Sequence, residues 1–492
     1  MSIAFPIFQT GRKPPSRGID PAVSGIEWRE TKGGIGVAVI GLAVGGIVPL
    51  LLFCAGLFFL FRLRGFYLLH PVKTVRYALG RKEKRASLSA LAVALGGTLG
   101  VGNITGVTSA LFIGGPGALF WMWCSALLSM GLHYAEVVIA LDTAAPPGLP
   151  RYLSGRITKR AFPFALLCLS LTLGGGVQSA AAAEAANVAL SCPAPLAGAL
   201  LALPVACVTA GGFRRIRAVS SRVIPFVTLL FALLSIGVTA VFRARLPGAI
   251  RSVFCDAFSF RAAAGGGIGA TIRRASVGFR RGLLSNEGGC GTASVAHAAS
   301  GTDDPARQGV FGIVEVATDT LLLCTLTGLA VLSAGTTGDG VAPLLSAFSA
   351  VYGRGAGVLL SLSLFLFAFA TAVSYCFYGR CALSALTGGA GKGFPYLLSL
   401  FLFCGVFLPR GLLFFLSDLF LGILAVLNLA ALFKRADRIL YLSAPLSGIA
   451  GKSVTPRDSR PIRTPGSSKG VVRRRPKAAR SRRRIRTRSS EK

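Results

Sequence analysis

The sequence has few of the residues that metal sites and catalytic sites need. Its 492 residues include three histidines and 18 acidic residues, and no cluster of them has the spacing of a metal site. The eleven cysteines contain no CxxC pair. Neither a nucleophile–base–orienter set nor the phosphate-binding pattern GxxxxGK(S/T) occurs. The sequence therefore argues against an enzyme and against an ATP-driven pump, and it predicts no cofactor.

Charged residues are also scarce. They make up 14% of the chain, whereas hydrophobic residues make up 53% and the mean hydropathy is +0.65. Several apolar runs reach the roughly 20 residues that a helix needs to cross a bilayer. Membrane strands would alternate in polarity, and these runs do not. We therefore predict an all-α, polytopic membrane protein. Residues 1–33 lack the apolar core and cleavage site of a signal peptide.

Eleven apolar segments are predicted to cross the membrane. Short connecting segments rich in Lys and Arg, such as 62–85 and 142–161, are expected on the cytoplasmic side. The first helix then runs from outside to inside. The segment 243–281 departs from this rule because it is rich in arginine but predicted to be external, and part of it, 262–278, is expected to form a re-entrant or interfacial helix. The predicted spans are 34–61, 88–112, 117–141, 162–187, 194–210, 223–242, 282–299, 310–333, 357–378, 394–408 and 411–433.

The two ends of the chain are predicted to be tails on opposite sides of the membrane. Residues 1–33 are polar and are expected outside. Residues 434–492 contain 19 Lys or Arg residues and are expected to be disordered in the cytoplasm. Because this tail is tethered at the bilayer, we expect it to contact anionic lipid headgroups, at about 1 kcal/mol per basic residue, or to be simply solvated. No nucleic-acid partner is expected.

Two of the apolar spans are interrupted near the middle. In the first, five glycines weaken the helix between residues 95 and 106, since each costs about 1 kcal/mol relative to alanine. In the second, 282–299, a polar run and several glycines have the same effect. Irregular backbone at membrane depth persists only where it is buried in protein or lines a water-filled cavity. The first interruption alone is equally typical of a glycine face for close helix packing, but two of them favour a binding site between inverted repeats.

The count of spans also predicts internal symmetry. If the first span, 34–61, is set aside, the remaining ten divide into two sets of five, and each set begins with an interrupted span. The odd number of crossings in each set inverts the second relative to the first. The predicted transmembrane domain, 34–433, thus contains a first repeat over 88–242 and a second over 262–433.

The chain carries specific short motifs in both halves. They are Gly-Asn-Ile-Thr-Gly-Val at 102–107, Gly-Gly-Pro-Gly-Ala at 114–118, Phe-Trp-Met-Trp at 120–123, Arg-Gly at 281–282, Ser-Asn-Glu-Gly at 285–288 continuing to Gly291, Ala-His-Ala-Ala at 296–299, Asp-Thr at 319–320 and Phe-Ala-Phe at 367–369. Together they resemble the sodium:alanine (alanine or glycine:cation) symporter family of the amino acid–polyamine–cation superfamily. The resemblance covers about 34–433. It implies a five-plus-five inverted-repeat core of the leucine-transporter type, with core helices 1 and 6 broken, and Na⁺-driven uptake of small neutral amino acids, chiefly alanine and glycine, across a bacterial-type cytoplasmic membrane.

The implied chemistry is binding and gating. A zwitterion needs acceptors for its ammonium group and donors for its carboxylate, and Na⁺, a hard cation, prefers carbonyl and hydroxyl oxygens. The candidate substrate-binding residues are Thr98, Gly100, Gly102, Asn103, Gln178, Ser285, Asn286, Gly288, Thr371 and Tyr375. The candidate Na⁺ ligands are Gly97, Gly100, Phe367 and Thr371. For Gln178, a simple inter-helix hydrogen bond is an equally good interpretation.

The eighth core helix departs from the family pattern at three positions. Ala370 removes a hydroxyl group, which puts the coupling to Na⁺ in question. Tyr375 stands where the family has a tryptophan, and four residues after Thr371 it shares a helix face with that residue. Arg380 reverses a charge at the expected cytoplasmic end. These departures predict a pocket of altered volume and polarity.

Other ionisable groups in the spans have structural and functional interpretations. Glu287 is expected to fix the broken backbone, pair with a basic group or touch the substrate ammonium. Glu315 and Asp319 are expected to pair across helices or face water. His133 and Glu136 are expected to form an interfacial pair, and His297 is expected to be packed.

Three functional hypotheses follow. The first is Na⁺-coupled amino-acid symport. The second is transport coupled to protons or directed to another small neutral solute. The third is a non-transporting membrane sensor or scaffold that uses its basic tail to bind a partner or lipid.

Deletion of residues 453–492 distinguishes the transporter from the scaffold. Because the tail lies outside the predicted transmembrane domain, the truncated protein is expected to keep at least about half of the uptake rate in proteoliposomes, a change below about 0.5 kcal/mol. The rates are compared with equal amounts of inserted protein. Loss of uptake on truncation would contradict the prediction that transport resides in 34–433.

Overall fold

The computed structural model describes residues 46–79, 84–142, 149–153, 155, 157–258, 267–300, 302 and 304–447. The predicted N-terminal tail and residues 448–492 of the predicted basic tail lie outside this part. The prediction that the tail is disordered from residue 434 was wrong for its described start, because Ala436–Ser447 forms a helix in which Ile439 and Ser443 are buried. Within the described part, all regular structure is helical. The helices are α1 (Val48–Arg62), α2 (Phe66–Leu69), α3 (Pro71–Leu79), α4 (Lys84–Thr98), α5 (Val107–Gly114), α6 (Gly117–Asp142), α7 (Thr158–Leu171), α8 (Gln178–Leu190), α9 (Ala194–Ala210), α10 (Gly212–Val241), α11 (Leu246–Ala257), α12 (Gly267–Asn286), α13 (Thr292–Ala298), α14 (Pro305–Val316), α15 (Thr325–Ala334), α16 (Ala342–Tyr352), α17 (Ala356–Thr387), α18 (Phe394–Gly405), α19 (Arg410–Phe433) and α20 (Ala436–Ser447).

The apolar helices confirm the all-α membrane architecture. Among the described residues, six continuous helical stretches are long and apolar enough to cross a bilayer, and α4 with α5 forms a seventh span bent by 53°. The shorter apolar helices α1, α9 and α18 and the interrupted pair α12–α13 account for the other predicted crossings. Two wide, π-helical turns, Thr172–Val177 and Ala317–Cys324, join pairs of helices without ending the span, and a third, Gly102–Gly106, leads from the first break into α5.

The glycines of the first interrupted span serve both roles that the sequence suggested. A Cβ on Gly96 would collide with Ser374, and one on Gly97 would lie 2.8 Å from the Tyr378 hydroxyl, so these two glycines let α4 pack tightly on α17. A Cβ on Gly102 or Gly106 would meet no atom within 4 Å. The later glycines are thus not required by packing, and they lie in the π-helical turn that follows the break.

The second interrupted span begins earlier than its hydropathy indicated. The prediction of a separate interfacial helix over 262–278 was wrong for its described part, because α12 runs without a break from Gly267 to Asn286. Two of its arginines have protein partners. Arg274 lies 3.3 Å from Asp256, and Arg281 donates to Ser109 at 3.2 Å and lies over the Phe414 ring. Charged side chains with such partners are tolerated at membrane depth.

Two groups of helices surround the breaks. The long helix α6 packs most extensively on α12 and α14, and it joins the two broken spans into one group. In the other group, α17 packs on α7 and α8, and α9 packs on α18. Helix α10 contacts both α4 and α17. The interrupted backbone therefore lies where the two groups meet.

Gly278 tests the close packing of α12 on α6. A Cβ at this position would collide with the Ala118 carbonyl oxygen and lie 2.8 Å from the Trp121 side chain. We expect Gly278→Ala to destabilise the protein by about 1–3 kcal/mol through overpacking, measured as a lower unfolding midpoint in detergent. The matched control is Gly248→Ala on α11, where an added Cβ meets nothing within 4 Å and the midpoint should stay equal or rise. Equal midpoints for Gly278→Ala and wild type would contradict the packing shown.

Candidate functional site

The first break is held by side chains of two other helices. The Leu99 carbonyl oxygen accepts a hydrogen bond of 3.3 Å from the Thr371 hydroxyl of α17. The Val101 amide donates to Oε1 of Gln178 on α8, also at 3.3 Å. Between them, a Cβ on Gly100 would lie only 3.0 Å from Thr371 Oγ1 and 3.1 Å from the Gln178 amide. The absence of a side chain at Gly100 therefore allows both partners to reach the opened backbone.

The second break is a turn in which residues take left-handed backbone conformations. Glu287 has φ +53° and Gly289 and Gly291 have φ +85° and +83°, which suit glycine and are uncommon for glutamate. Oδ1 of Asn286 accepts from the Gly288 amide at 3.0 Å. Nδ2 of the same side chain donates to Thr320 at 3.2 Å. Asn286 thus both closes the turn and ties it to the next span.

Asp319 connects the two breaks. It lies in the π-helical segment Ala317–Cys324, and its side chain is fully buried. Oδ1 accepts from Asn103 Nδ2 at 2.7 Å, and Oδ2 accepts from the hydroxyls of Ser285 at 2.8 Å and Thr320 at 2.7 Å. Asn103 follows the first break and Ser285 precedes the second. One carboxylate therefore joins candidate residues from both interrupted spans.

Tyr375 contacts the second break from α17. Its hydroxyl donates to Oε1 of Glu287, and its ring packs against Gly174 and lies 5.3 Å from the Tyr378 ring. Oε2 of Glu287 is buried and has no hydrogen-bond partner. The residue at the expected tryptophan position thus adds a polar contact to the turn.

A second carboxylate clamps the turn from α6. Oε1 of Glu136 accepts from the Gly291 amide at 3.2 Å and from Asn428 Nδ2 at 2.7 Å. Nδ2 of Asn428, on α19, also donates to the Gly289 carbonyl at 2.9 Å, and its Oδ1 accepts from Tyr152 at 2.7 Å. Sequence reasoning missed Asn428. The one feature of the sequence that could have indicated it is a single amide side chain within the apolar segment 411–433.

Some predicted residues lie apart from these contacts. Thr98 Oγ1 lies 3.5 Å from Glu315 Oε1, and Phe367 is buried against Phe231, with ring centroids 5.8 Å apart. Arg380 Nη1 donates to the Thr209 carbonyl at 3.5 Å.

The expected pairing of His133 with Glu136 was wrong. His133 faces Glu315, with its Nε2 4.0 Å from Oε2 of Glu315, whereas Glu136 bonds to the Gly291 amide of the second break.

Two interrupted spans that meet at a buried polar network, within an all-helical membrane protein, define a fold of the leucine-transporter type. The fold is similar to the crystal structure of MhsT in complex with L-phenylalanine, with a TM-score of 0.51 and 15% identity over 75% of this chain and 92% of that one. In sequence, the chain is 31% identical over 418 residues to the sodium/alanine symporter AgcS of Methanococcus maripaludis, covering 79% of this chain and 91% of the relative. It is 29% identical over 409 residues to the probable sodium/glutamine symporter GlnT of Bacillus subtilis, covering 79% and 85%.

The sodium:alanine symporter family matches residues 36–440. The chain belongs to this family, as its motifs suggested. Its relatives and its fold are those of transporters, so the prediction that it is not an enzyme is confirmed. It is a multi-pass membrane protein.

Asn428 tests the clamp on the second break. In Asn428→Leu, the Gly289 carbonyl, the Glu136 carboxylate and the Tyr152 hydroxyl each lose a hydrogen bond in a buried site, and we expect a loss of about 1–3 kcal/mol. The measurement is the unfolding midpoint in detergent. Asn187→Leu is the matched control, because that side chain makes one exposed bond, to the Cys192 carbonyl. A similar, small shift in both variants would show that the clamp contributes little.

Proposed function

We propose that the chain is a Na⁺-coupled symporter that takes up small neutral amino acids, alanine and glycine, by alternating access. The observation that carries the proposal is the convergence of two opened backbones on one polar network centred on Asp319. The similarity to AgcS, a sodium/alanine symporter, and to GlnT, a probable sodium/glutamine symporter, supports amino-acid transport with Na⁺. We further propose a cytoplasmic membrane with the N-terminus outside, the C-terminus inside and the basic tail on anionic headgroups.

The proposed substrate site uses residues on both sides of the network. Backbone amides beside Gly100 and Gly102 serve as donors to the substrate carboxylate, as opened helices do for anions. The proposed acceptors for the ammonium group are the carboxylates of Asp319, which joins the two breaks, and of Glu287, which lies in the second. Asn103, Ser285, Asn286 and Gly288 complete the set through polar side chains or backbone. Gln178 already satisfies the Val101 amide, so its proposed contribution is to position the first break.

The proposed Na⁺ site lies between α17 and the first break. The Thr371 hydroxyl and the Leu99 carbonyl are 3.3 Å apart, and both are oxygen ligands of the kind Na⁺ prefers. We propose that they hold the ion together with backbone carbonyls of Gly97, Gly100 and Phe367. Ala370 offers no hydroxyl here, so Thr371 is the only side-chain ligand among the proposed residues.

Tyr375 favours a narrow substrate range. Its ring occupies the space left by Gly174 and its hydroxyl engages Glu287, so both the volume and the polarity of the pocket differ from those expected with tryptophan. We propose that glycine and alanine are preferred over larger neutral amino acids. Selection of a different small neutral solute is the second candidate function that these contacts support.

Uptake of radiolabelled L-alanine, D-alanine and glycine into proteoliposomes tests the proposal. We expect accumulation only with an inward Na⁺ gradient at constant pH. Thr371→Val is expected to reduce Na⁺-driven uptake at least about tenfold, equivalent to about 1.4 kcal/mol, because a hydroxyl ligand is replaced by a methyl group. Thr239→Val is the matched control, since the Thr239 hydroxyl donates only to the Ile236 carbonyl of its own helix. Accumulation that ignores Na⁺, or equal uptake by both variants, would contradict the proposed coupling site.

A further inference from the structure

A second buried polar cluster lies beside the first break, away from the Asp319 network. It contains two of the three histidines of the chain, His133 on α6 and His297 on α13, together with Glu315 and Gln308 on α14. All four side chains are at most 1% exposed. Four residues that can donate or accept protons or hydrogen bonds are thus brought from three helices into one apolar surrounding, and neither the proposed substrate site nor the proposed Na⁺ site uses them.

The hydrogen bonds assign roles to the atoms of this cluster. Nε2 of Gln308 lies 2.7 Å from Nδ1 of His297. An amide nitrogen only donates, so Nδ1 accepts and the ring proton is on Nε2. That nitrogen lies 3.2 Å from Oε2 of Glu315. The same oxygen is 4.0 Å from Nε2 of His133, and neither ring nitrogen of His133 has a side-chain hydrogen-bond partner.

The charge around Glu315 is not balanced by a fixed cation. Among the described residues, no Lys or Arg forms an ion pair with it. Arg307, on the same helix, donates from Nε to the Ala78 carbonyl of α3 at 2.9 Å. The other titratable groups that interact electrostatically with Glu315 are acidic or neutral: Glu136 on α6, Glu287 in the second break, Asp319 further along its own span and Tyr378 on α17.

A carboxylate in such surroundings requires a neutralising partner, because an uncompensated charge at membrane depth is costly. A proton supplies it, whether it sits on Glu315 or on His133, since both ring nitrogens of His297 are already engaged by Gln308 and Glu315. We infer that Glu315, His297 and His133 form a binding site for one proton. Nε2 of His133, 4.0 Å from Oε2 of Glu315, provides a second position to which that proton can move.

The site is connected to the part of the chain that transport must displace. Thr98 is the last residue of α4, directly before the first break, and its hydroxyl lies 3.5 Å from Glu315 Oε1. Movement of α4 away from α14 would admit water to the cluster and stabilise the ionised carboxylate. The proton is therefore held in the closed arrangement and released when this side opens. This inference goes beyond the proposed Na⁺-coupled function, and it does not depend on the identity of the transported solute.

Infrared difference spectra of the purified full-length protein between two pH values test the site directly. The probe is the C=O stretching band of a protonated carboxyl group. We expect wild type to show a pH-dependent band that is missing in Glu315→Gln, whose amide keeps the shape of the acid without titrating. His297→Gln should shift the frequency of that band, because the carboxyl group loses its imidazole partner. Glu184→Gln is the matched control, since Glu184 lies on α8 and is paired with Arg410 at 2.7 Å. It should keep the band.

The pH dependence of uptake by the same variants is a second test. In proteoliposomes, wild-type uptake is expected to vary with pH by at most about tenfold per unit, the limit for one linked proton, and Glu315→Gln should flatten that dependence whatever its absolute rate. Identical spectra of wild type and a folded Glu315→Gln protein would overturn the inference. So would loss of the band on adding Na⁺ at constant pH, which would mean that the cluster holds Na⁺. If Glu315→Gln does not fold, an unshifted band in His297→Gln overturns it.

Discussion

Opened backbone inside a membrane must find hydrogen-bond partners in the protein, and the polar side chains of this chain are distributed to meet that need. Lipid offers no substitute for water, so each freed amide or carbonyl group would otherwise cost several kcal/mol. Thr371 and Gln178 supply partners at the first break. Asn428 and Glu136 supply them at the second. The breaks are consequently fixed elements of the fold, held by helices from both halves of the chain.

The buried carboxylates differ in what surrounds them, and this separates their roles. Asp319 accepts hydrogen bonds from Asn103 and Ser285 of the two interrupted spans and from Thr320 beside it. These three donors lie close together only when both breaks are formed. Glu136 is bonded to backbone and to an amide side chain. Glu315 faces the two buried imidazoles of His133 and His297 and, in the described part of the chain, has no Lys or Arg partner. A carboxylate thus serves assembly at two of these positions, and at the third it is the centre of the proposed proton site.

The fold could be predicted from sequence because hydropathy and charge act along the chain. Apolar length defines the spans, and two glycine-rich or polar interruptions divide them into two repeats. The start of α12 could not be read this way, because hydropathy counts the charges of Arg274 and Arg281 without their partners. Within the site, Gly100, Gln178 and Thr371 were predicted and do converge. Asn428 was not, since a contact with residues almost 300 positions earlier leaves no local pattern.

Under the proposed alternating access, some of these contacts must exchange, and the geometry indicates which. Hydrogen bonds within the second break, such as that from the Gly288 amide to Asn286, lie inside the α12–α13 pair. They are kept when this pair moves as a rigid body. Bonds that cross from the broken spans to α17, at Thr371 and Tyr375, join the two helix groups and must be remade in each state. A bound ion at the Thr371 contact and a substrate ammonium at the Tyr375 contact would replace hydrogen bonds that otherwise form when the two helix groups close. Binding of ion and substrate is then coupled to closure, because both supply hydrogen-bond or ionic partners to the same buried polar groups.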